Sequence, residues 1–342
     1  MNEVSTCNIG KNTQLAELIR QPSLIIRDEV TMQHRYCFVA VSRILNDLCN
    51  VSDEACIFGN IAILLEGDYT QIALDVRRGN RATTVRASLI SSEVWQYFHI
   101  LHLTFNMRVQ PGQDNVEFAH WLEYMSYDNS MYGNLLIPEY IRIYTVLQDL
   151  MDFVYPPATI TTACTDLATF QHRCILAFHD DTINALNVMI LQQLPDDIRI
   201  FHTVDTSDIN EANPDFAQLP AEYMQSHTSG GLPPSRLVLK VGASVMLLHN
   251  LDPTEGFCNG TRVIVTPLGL RCIELHILGG NFHGQCKLIP RILLSIAEGE
   301  LPFVLTRKQF PIKLCFAMTV NKSQGQTLGI VGLDLPIFFF FF

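Results

Sequence analysis

The feature that most constrains this chain is a rhythm in its first half. Short apolar runs stand at 24–26, 61–65, 100–104 and 174–178, and the first three are each followed at once by polar residues. Helix-like stretches lie between them. Within 36–48, Phe38, Val41, Leu45 and Leu48 recur at helical spacing, and 182–194 repeats the pattern after the fourth run. This alternation predicts an α/β fold, a parallel sheet covered by helices, with the apolar stripes serving as core. In such folds ligand groups gather where strands end. Asp28 and Glu29, the 67–71 loop, and Asn106 with Arg108 all occupy that place.

At 342 residues, 48% of them hydrophobic and 17% charged, the chain can bury a sizeable core and is expected to form about two domains. Pro and Thr mix at 156–162, which marks a candidate domain boundary, and a second loop at 206–234 is rich in Asp, Asn, Ser, Gly and Pro. Beyond it the texture changes. The stretches 237–248, 262–267 and 270–278 alternate like antiparallel strands, with turns at Gly269 and Gly279-Gly280, so a small β insert is expected. Helical spacing returns only near Asn321. Five phenylalanines at 338–342 read as a low-complexity scar rather than a functional tail.

Acidic residues outnumber basic ones, 34 to 23, for a formal charge of -11. A chain that wraps duplex DNA by charge alone has the opposite balance, so any nucleic-acid contact must be local. The ten cysteines include no CxxC pair, which reads as reduced thiols in a cytosolic or nuclear protein. The first residues show neither a secretory nor an Arg-rich transit pattern, and no run approaches about 18 apolar residues, so no membrane span is expected.

Asp28 and Glu29 are adjacent at a strand end, where side chains diverge, so they do not suit a glycosidase pair that must face one sugar. They suit a nucleotide hydrolase, the Asp holding hydrated magnesium and the Glu acting on the attacking water. A solvated strand end is the plainer alternative. After the next strand, Gly67-Asp68-Tyr69-Thr70-Gln71 combines a turn-forming glycine with an amide long enough to reach a terminal phosphate. Arg108 follows the third run, where a guanidinium can neutralise charge during phosphoryl transfer or simply face solvent. Near the end, an apolar strand at 314–320 breaks into Asn321-Lys322-Ser323-Gln324-Gly325-Gln326-Thr327, donors gathered at a helix start with a glycine that permits close approach of a phosphate.

Other candidates are weaker. Gly10-Lys11 is followed by Asn12 and preceded at the fifth position by Ser5, so no GxxxxGK[ST] phosphate loop lies within 1–342. Cys272, His276, His283 and Cys286 flank a glycine turn. On one strand, however, Cys272 and His276 would sit about 13 Å apart at roughly 3.3 Å per residue, too far for one zinc ion. No GxSxG elbow is present. Arg77, Arg78, Arg81 and Arg86 form the densest basic cluster, which fits a DNA backbone or a solvated face equally, and Tyr69 and Trp95 are stacking or core aromatics.

Together the strings resemble one family, the Pif-type DNA helicases of superfamily one, most closely the helicases of Helitron transposons. The carrying strings are Asp28-Glu29-Val30-Thr31-Met32, the 67–71 loop, Leu103-Thr104-Phe105-Asn106-Met107-Arg108, Val241-Gly242-Ala243-Ser244-Val245-Met246-Leu247-Leu248, Cys258-Asn259-Gly260-Thr261-Arg262 and 321–327, in family order. The resemblance implies two RecA-like parallel-sheet domains, 1–160 and 161–262 with 311–335. It also implies an SH3-like β insert at 263–310 and a phenylalanine tail at 336–342. It implies an ATP-dependent, 5′ to 3′ DNA helicase working on single-stranded DNA and forks, as a monomer, in the nucleus or the mitochondrion, in repair, recombination, telomere maintenance or Helitron transposition. A single-stranded-DNA-binding remnant is the alternative.

Carried over by position, Asp28 would bind magnesium, Glu29 would activate water, Gln71 would sense the γ-phosphate of ATP and Arg108 would serve as an arginine finger. Lys322, Ser323, Gln324 and Gly325 would couple nucleotide to strand. The family's phosphate loop and its last helicase motif are expected outside 1–342, and an in-frame GxxxxGK[ST] upstream would test the first expectation. Ile72-Ala73-Leu74 replaces the usual Leu-Pro after the Gln71 loop. Phe178-His179-Asp180 stands for a Pro-Thr or Pro-Asn pattern, and Arg27 occupies a commonly apolar position.

Overall fold

The first two apolar runs become neighbouring parallel strands, β1 (Leu24–Arg27) and β2 (Ala62–Leu65), in register from Leu24↔Ala62 to Arg27↔Leu65. The computed structural model describes residues 4–51, 56–71, 74, 76, 79–107, 109, 116–127, 137–163, 166, 168–208, 220–227, 231–296, 301 and 303–335. The chain divides into two units, Met1–Leu135 and Leu136–Phe342.

In the first unit α1 (Gln14–Arg20) begins at Thr13, whose hydroxyl accepts from the Ala16 amide, and α2 (Arg35–Leu48) begins at His34, whose ring accepts from the Tyr36 amide. Phe38 and Leu45 of α2 are buried with Val30, Phe58, Leu89 and Val94 in one apolar cluster. The chain enters β2 through a turn in which Phe58, Gly59 and Asn60 all have positive φ. Side chains of α2 hold that turn: Ser42 Oγ accepts from Phe58 N (3.1 Å) and Asn46 Oδ1 from Gly59 N (2.7 Å). A Cβ on Gly59 would lie 2.7 Å from the Leu45 carbonyl, so the turn requires glycine there. Helices α3 (Arg81–Ala87) and α4 (Val116–Tyr127) follow.

The run at 100–104 does not become a strand. It is irregular and exposed, with Leu103 fully accessible. An extended apolar segment gains burial only from a sheet neighbour, and among the described residues none pairs with it.

The second unit contains α5 (Leu147–Val154) and α6 (Pro157–Thr162), so the segment anticipated as a boundary is a helix, with Ile160 buried. Next come β3 (Arg173–Ala177) and α7 (Asp180–Gln193). Then β4 (Arg199–His202), β5 (Val204–Asp208) and α8 (Ala221–Ser226) lead into the β-rich region: β6 (Arg236–Leu239), β7 (Ser244–Leu247), β8 (Arg262–Leu268), β9 (Cys272–Ile277), β10 (Cys286–Pro290), β11 (Ile292–Ser295), β12 (Val304–Gln309) and β13 (Ile312–Leu314). The chain returns through β14 (Ala317–Thr319), α9 (Val320–Ser323) and β15 (Ile330–Asp334).

Strand β3 is the centre of a parallel sheet ordered β14-β3-β15. The alternating segments form an antiparallel sheet ordered β10-β9-β8-β7-β13, while β11-β12-β5 and β4-β6 make two smaller ones. The region anticipated as an insert at 263–310 thus pairs outward on both sides, with β7 and β13 and, through β12, with β5. Arg307 of β12 and Asp205 of β5 form an ion pair at 2.8 Å, each side chain only 1% exposed. Arg307 also donates to the carbonyls of Met224 and Pro233, so every branch of its guanidinium is used.

Candidate functional site

In the first unit the parallel register brings the ends of β1 and β2 side by side. The ladder runs one step past the strands, with Glu66 N donating to Arg27 O (2.9 Å) and Val30 N to Glu66 O (3.0 Å). Asp28-Glu29 and the 67–71 loop therefore emerge together, as the sequence suggested. Asp28 is exposed and its Oδ1 accepts from Glu29 N at 2.7 Å. Glu29 has a left-handed backbone (φ 54°, ψ 42°), rare for a residue with a Cβ. That conformation turns it away from Asp28: Glu29 is half-buried, and its Oε2 is buried without a hydrogen-bond partner among the described residues. An orphaned carboxylate oxygen of this kind is a ready acceptor for a water proton.

Gly67 explains why the two loops lie so close. A Cβ there would come within 3.0 Å of methyl groups of both Val30 and Thr31. Asp68 then shapes the loop, its Oδ1 accepting from Thr70 N (2.8 Å) and Thr70 Oγ1 (2.7 Å). Gln71 N donates to Asp68 O, which leaves Gln71 exposed at the end of the turn. An exposed aspartate beside a water-accessible turn supplies the hard oxygen ligand that a hydrated magnesium ion prefers, so Asp28 fits that role and Glu29 the role beside it. Trp95 packs on the apolar cluster with Phe98, which favours core over base stacking. Tyr69 is about half exposed, and partial burial raises its hydroxyl pKa against a hydrogen bond with Ser88. Arg108, Arg77 and Arg78 lie outside the described residues; Arg81 and Arg86 are exposed on α3.

In the second unit, the 321–327 string follows β14 and opens as the short helix α9. Lys322 is half-buried, its Nζ 4.0 Å from Met246 Sδ, and its pKa is lowered by burial and then by the charge of Lys313. Ser323 Oγ donates to Val320 O, while Gly325 has φ 73°, a conformation that favours glycine. Gln326 Nε2 donates to Lys322 O (3.1 Å) and to Gly260 O (3.4 Å). This joins two strings far apart in sequence, since Gly260 (φ 88°) belongs to the Cys258–Arg262 segment. Arg262 is buried and donates to the carbonyls of Phe170, Gln171 and Arg173, holding β8 to the loop that enters β3.

Two supporting residues escape sequence reasoning. Asn187 of α7 is buried, its Oδ1 accepting from Phe316 N and Ala317 N and its Nδ2 donating to Ala317 O, which fixes the start of β14. A polar residue among Ile183, Leu186 and Ile190 at helical spacing was its only signal. Tyr155 donates its hydroxyl to Phe316 O at 2.6 Å from inside the core. Among the described residues no three His, Cys, Asp or Glu side chains gather as a metal site. His276 instead contacts Glu274 at 2.8 Å, although Cys286 is its cross-strand partner.

An acidic strand-end pair, a glutamine loop on the adjacent parallel strand and a lysine–glycine string after a second parallel sheet are carried on an α/β protein of the RecA-like type. The PIF1-like helicase family model matches residues 1–130, and that of the Pif1 DNA helicase 2B domain matches 222–268. Over those residues the chain is similar to Pif1-type helicases. It is 32% identical over 164 residues to the human ATP-dependent DNA helicase PIF1 and 30% identical over 172 residues to that of Danio rerio. Each match covers 47% of this chain and 23% of the relative.

Among solved structures, Bacteroides Pif1 bound to single-stranded DNA has a TM-score of 0.65 at 22% identity, covering 97% of this chain and 69% of that one. Pif1 helicase from Candida albicans has a TM-score of 0.60 at 19% identity, covering 95% and 69%. The fold class is α/β with two RecA-like domains.

Proposed function

We propose that this chain is part of an ATP-dependent DNA helicase, in which ATP hydrolysis drives 5′ to 3′ movement along single-stranded DNA and opens forks. The observation that carries the reading is the pair of strand-end carboxylates. Asp28 faces solvent where a magnesium ion can be held through water, and the buried, unpartnered Oε2 of Glu29 is placed to take a proton from an attacking water. Gln71, on the adjacent loop, is the residue to contact the terminal phosphate, with Arg108 as the arginine finger. Lys322, Ser323, Gln324 and Gly325 are the coupling element to the strand. Magnesium supplies charge neutralisation between the phosphates when bound. The relatives' name, ATP-dependent DNA helicase, and the single-stranded DNA in the Bacteroides structure support this reading. A monomer in the nucleus or mitochondrion, serving repair, recombination, telomere maintenance or Helitron transposition, is its setting.

The test is nucleotide binding by the purified chain, together with binding of a dT oligonucleotide over a salt series with and without ATP. The helicase reading expects submicromolar ATP affinity and a strand affinity that responds to ATP. Salt-sensitive strand binding without ATP dependence would instead support the single-strand-binding remnant, and absence of both bindings overturns both readings.

A further inference from the structure

Two lysines from different elements converge in the second unit. Lys313 is the cross-strand partner of Met246 in the β13–β7 pair, so their side chains share a face. Lys322 comes from α9 and sets its Nζ 4.0 Å from the Met246 sulfur. Met246 is fully buried in an apolar cluster with Cys174, Leu176, Cys315 and Met318, and the charge of Lys313 is near enough to lower the pKa of Lys322. Each lysine is half-buried. Among the described residues neither has a carboxylate within 4.0 Å, the ion-pair limit. Asp180, the first residue of α7, acts on Lys322 only as a more distant charge. Two like charges, partly desolvated and without a counter-ion, repel each other, and an anion between them would relieve the repulsion. The neighbouring hydroxyl cannot easily help, because Ser323 Oγ is turned back to Val320 O at 2.7 Å.

We propose that Lys313 and Lys322 together form a binding site for a phosphate oxyanion, with Lys313 a ligand residue in its own right. The proposal deepens the helicase reading and rests on it for the phosphate's source, which is either the backbone of a single strand or the phosphate chain of a nucleotide. A methionine floor suits this role. It leaves both ammonium groups their hydrogen-bond donors, since a thioether is only a weak acceptor, and it prevents the collapse onto a carboxylate that would cancel the charge.

The experiment uses the full chain as wild type, K313M, K322M and K313R, with three probes: inorganic pyrophosphate in thermal melting, a fluorescent dT oligonucleotide over a salt series, and a fluorescent ATP analogue. Without ligand, K313M is expected to melt at or above wild type, because one of two repelling charges is gone. Pyrophosphate is expected to raise the Tm of wild type and K313R but not of K313M or K322M. If the source is the strand, the slope of log affinity against log salt falls by about 0.7 in K313M, with nucleotide affinity unchanged. Weaker nucleotide binding with an unchanged salt slope assigns the site to the nucleotide instead. A K313M chain that matches wild type with all three probes overturns the site. A pyrophosphate response that K313M abolishes, in a wild-type chain that binds neither strand nor nucleotide, upholds the site and overturns the helicase reading.

Discussion

The two parallel sheets start from the same sequence signal and end in different states. In the first unit β1 and β2 pair only with each other among the described residues, and apolar side chains remain open: Ile26 is 59% exposed, and Leu103, from the run that forms no strand, is fully accessible. In the second unit β3 has a parallel neighbour on each side and helices against it, and Cys174, Ile175, Leu176 and Ala177 are all buried. A short apolar run therefore specifies a tendency to extend; what it buries is set by the strands that flank it. The difference bears on chemistry as well. The strand-end carboxylates Asp28 and Glu29 stand in the first unit, while in the second the start of β14, which leads into 321–327, is held by buried hydrogen bonds from Asn187 and Tyr155.

Three substitutions sharpen or break that contrast. Arg307→Met should have the largest effect, about 3–5 kcal/mol by urea denaturation, because it strands the Asp205 carboxylate in the interior; D205L in the same chain should recover most of it. A small loss would mean that the dense unit is looser than its burial indicates. Gly67→Ala should cost about 1–3 kcal/mol, since the added methyl meets Val30 and Thr31 at 3.0 Å and must push the two strand-end loops apart. Unchanged stability there would show that the first unit's loops yield freely. Leu103→Ser should fall within about 0.5 kcal/mol of wild type while reducing aggregation on concentration. A core-sized loss at this position would reveal a buried strand and erase the contrast between the units.

Much of the architecture was legible because it depends on local pattern. The runs at 24–26, 61–65 and 174–178 are β1, β2 and β3, and the stripes at 36–48 and 182–194 are α2 and α7 to within two residues. Alternation between 237 and 278 marks antiparallel strands. The pattern misled at 100–104, where apolar character was present without a partner. The stretch 156–162, taken as a candidate domain boundary, contains helix α6, which begins at Pro157, a first helical position where proline is tolerated. For the site, Asp28, Glu29 and Gln71 were found as types and placed at strand ends. That Glu29 Oε2 is buried was not foreseeable, because its left-handed backbone and its burial depend on how the chain packs beyond the end of β1.

By itself the sequence determined the α/β class, the order of the chemistry-bearing strings and the kinds of groups they offer, since periodicity and residue type act over a few neighbouring positions. Only the tertiary structure decided which strands are buried, how Gln326 reaches Gly260 across 66 residues of chain, and that Lys322 reaches the methionine paired across strands with Lys313. Burial, orphaned hydrogen-bonding groups and unpaired charge are properties of packing between distant segments, and no local pattern encodes them.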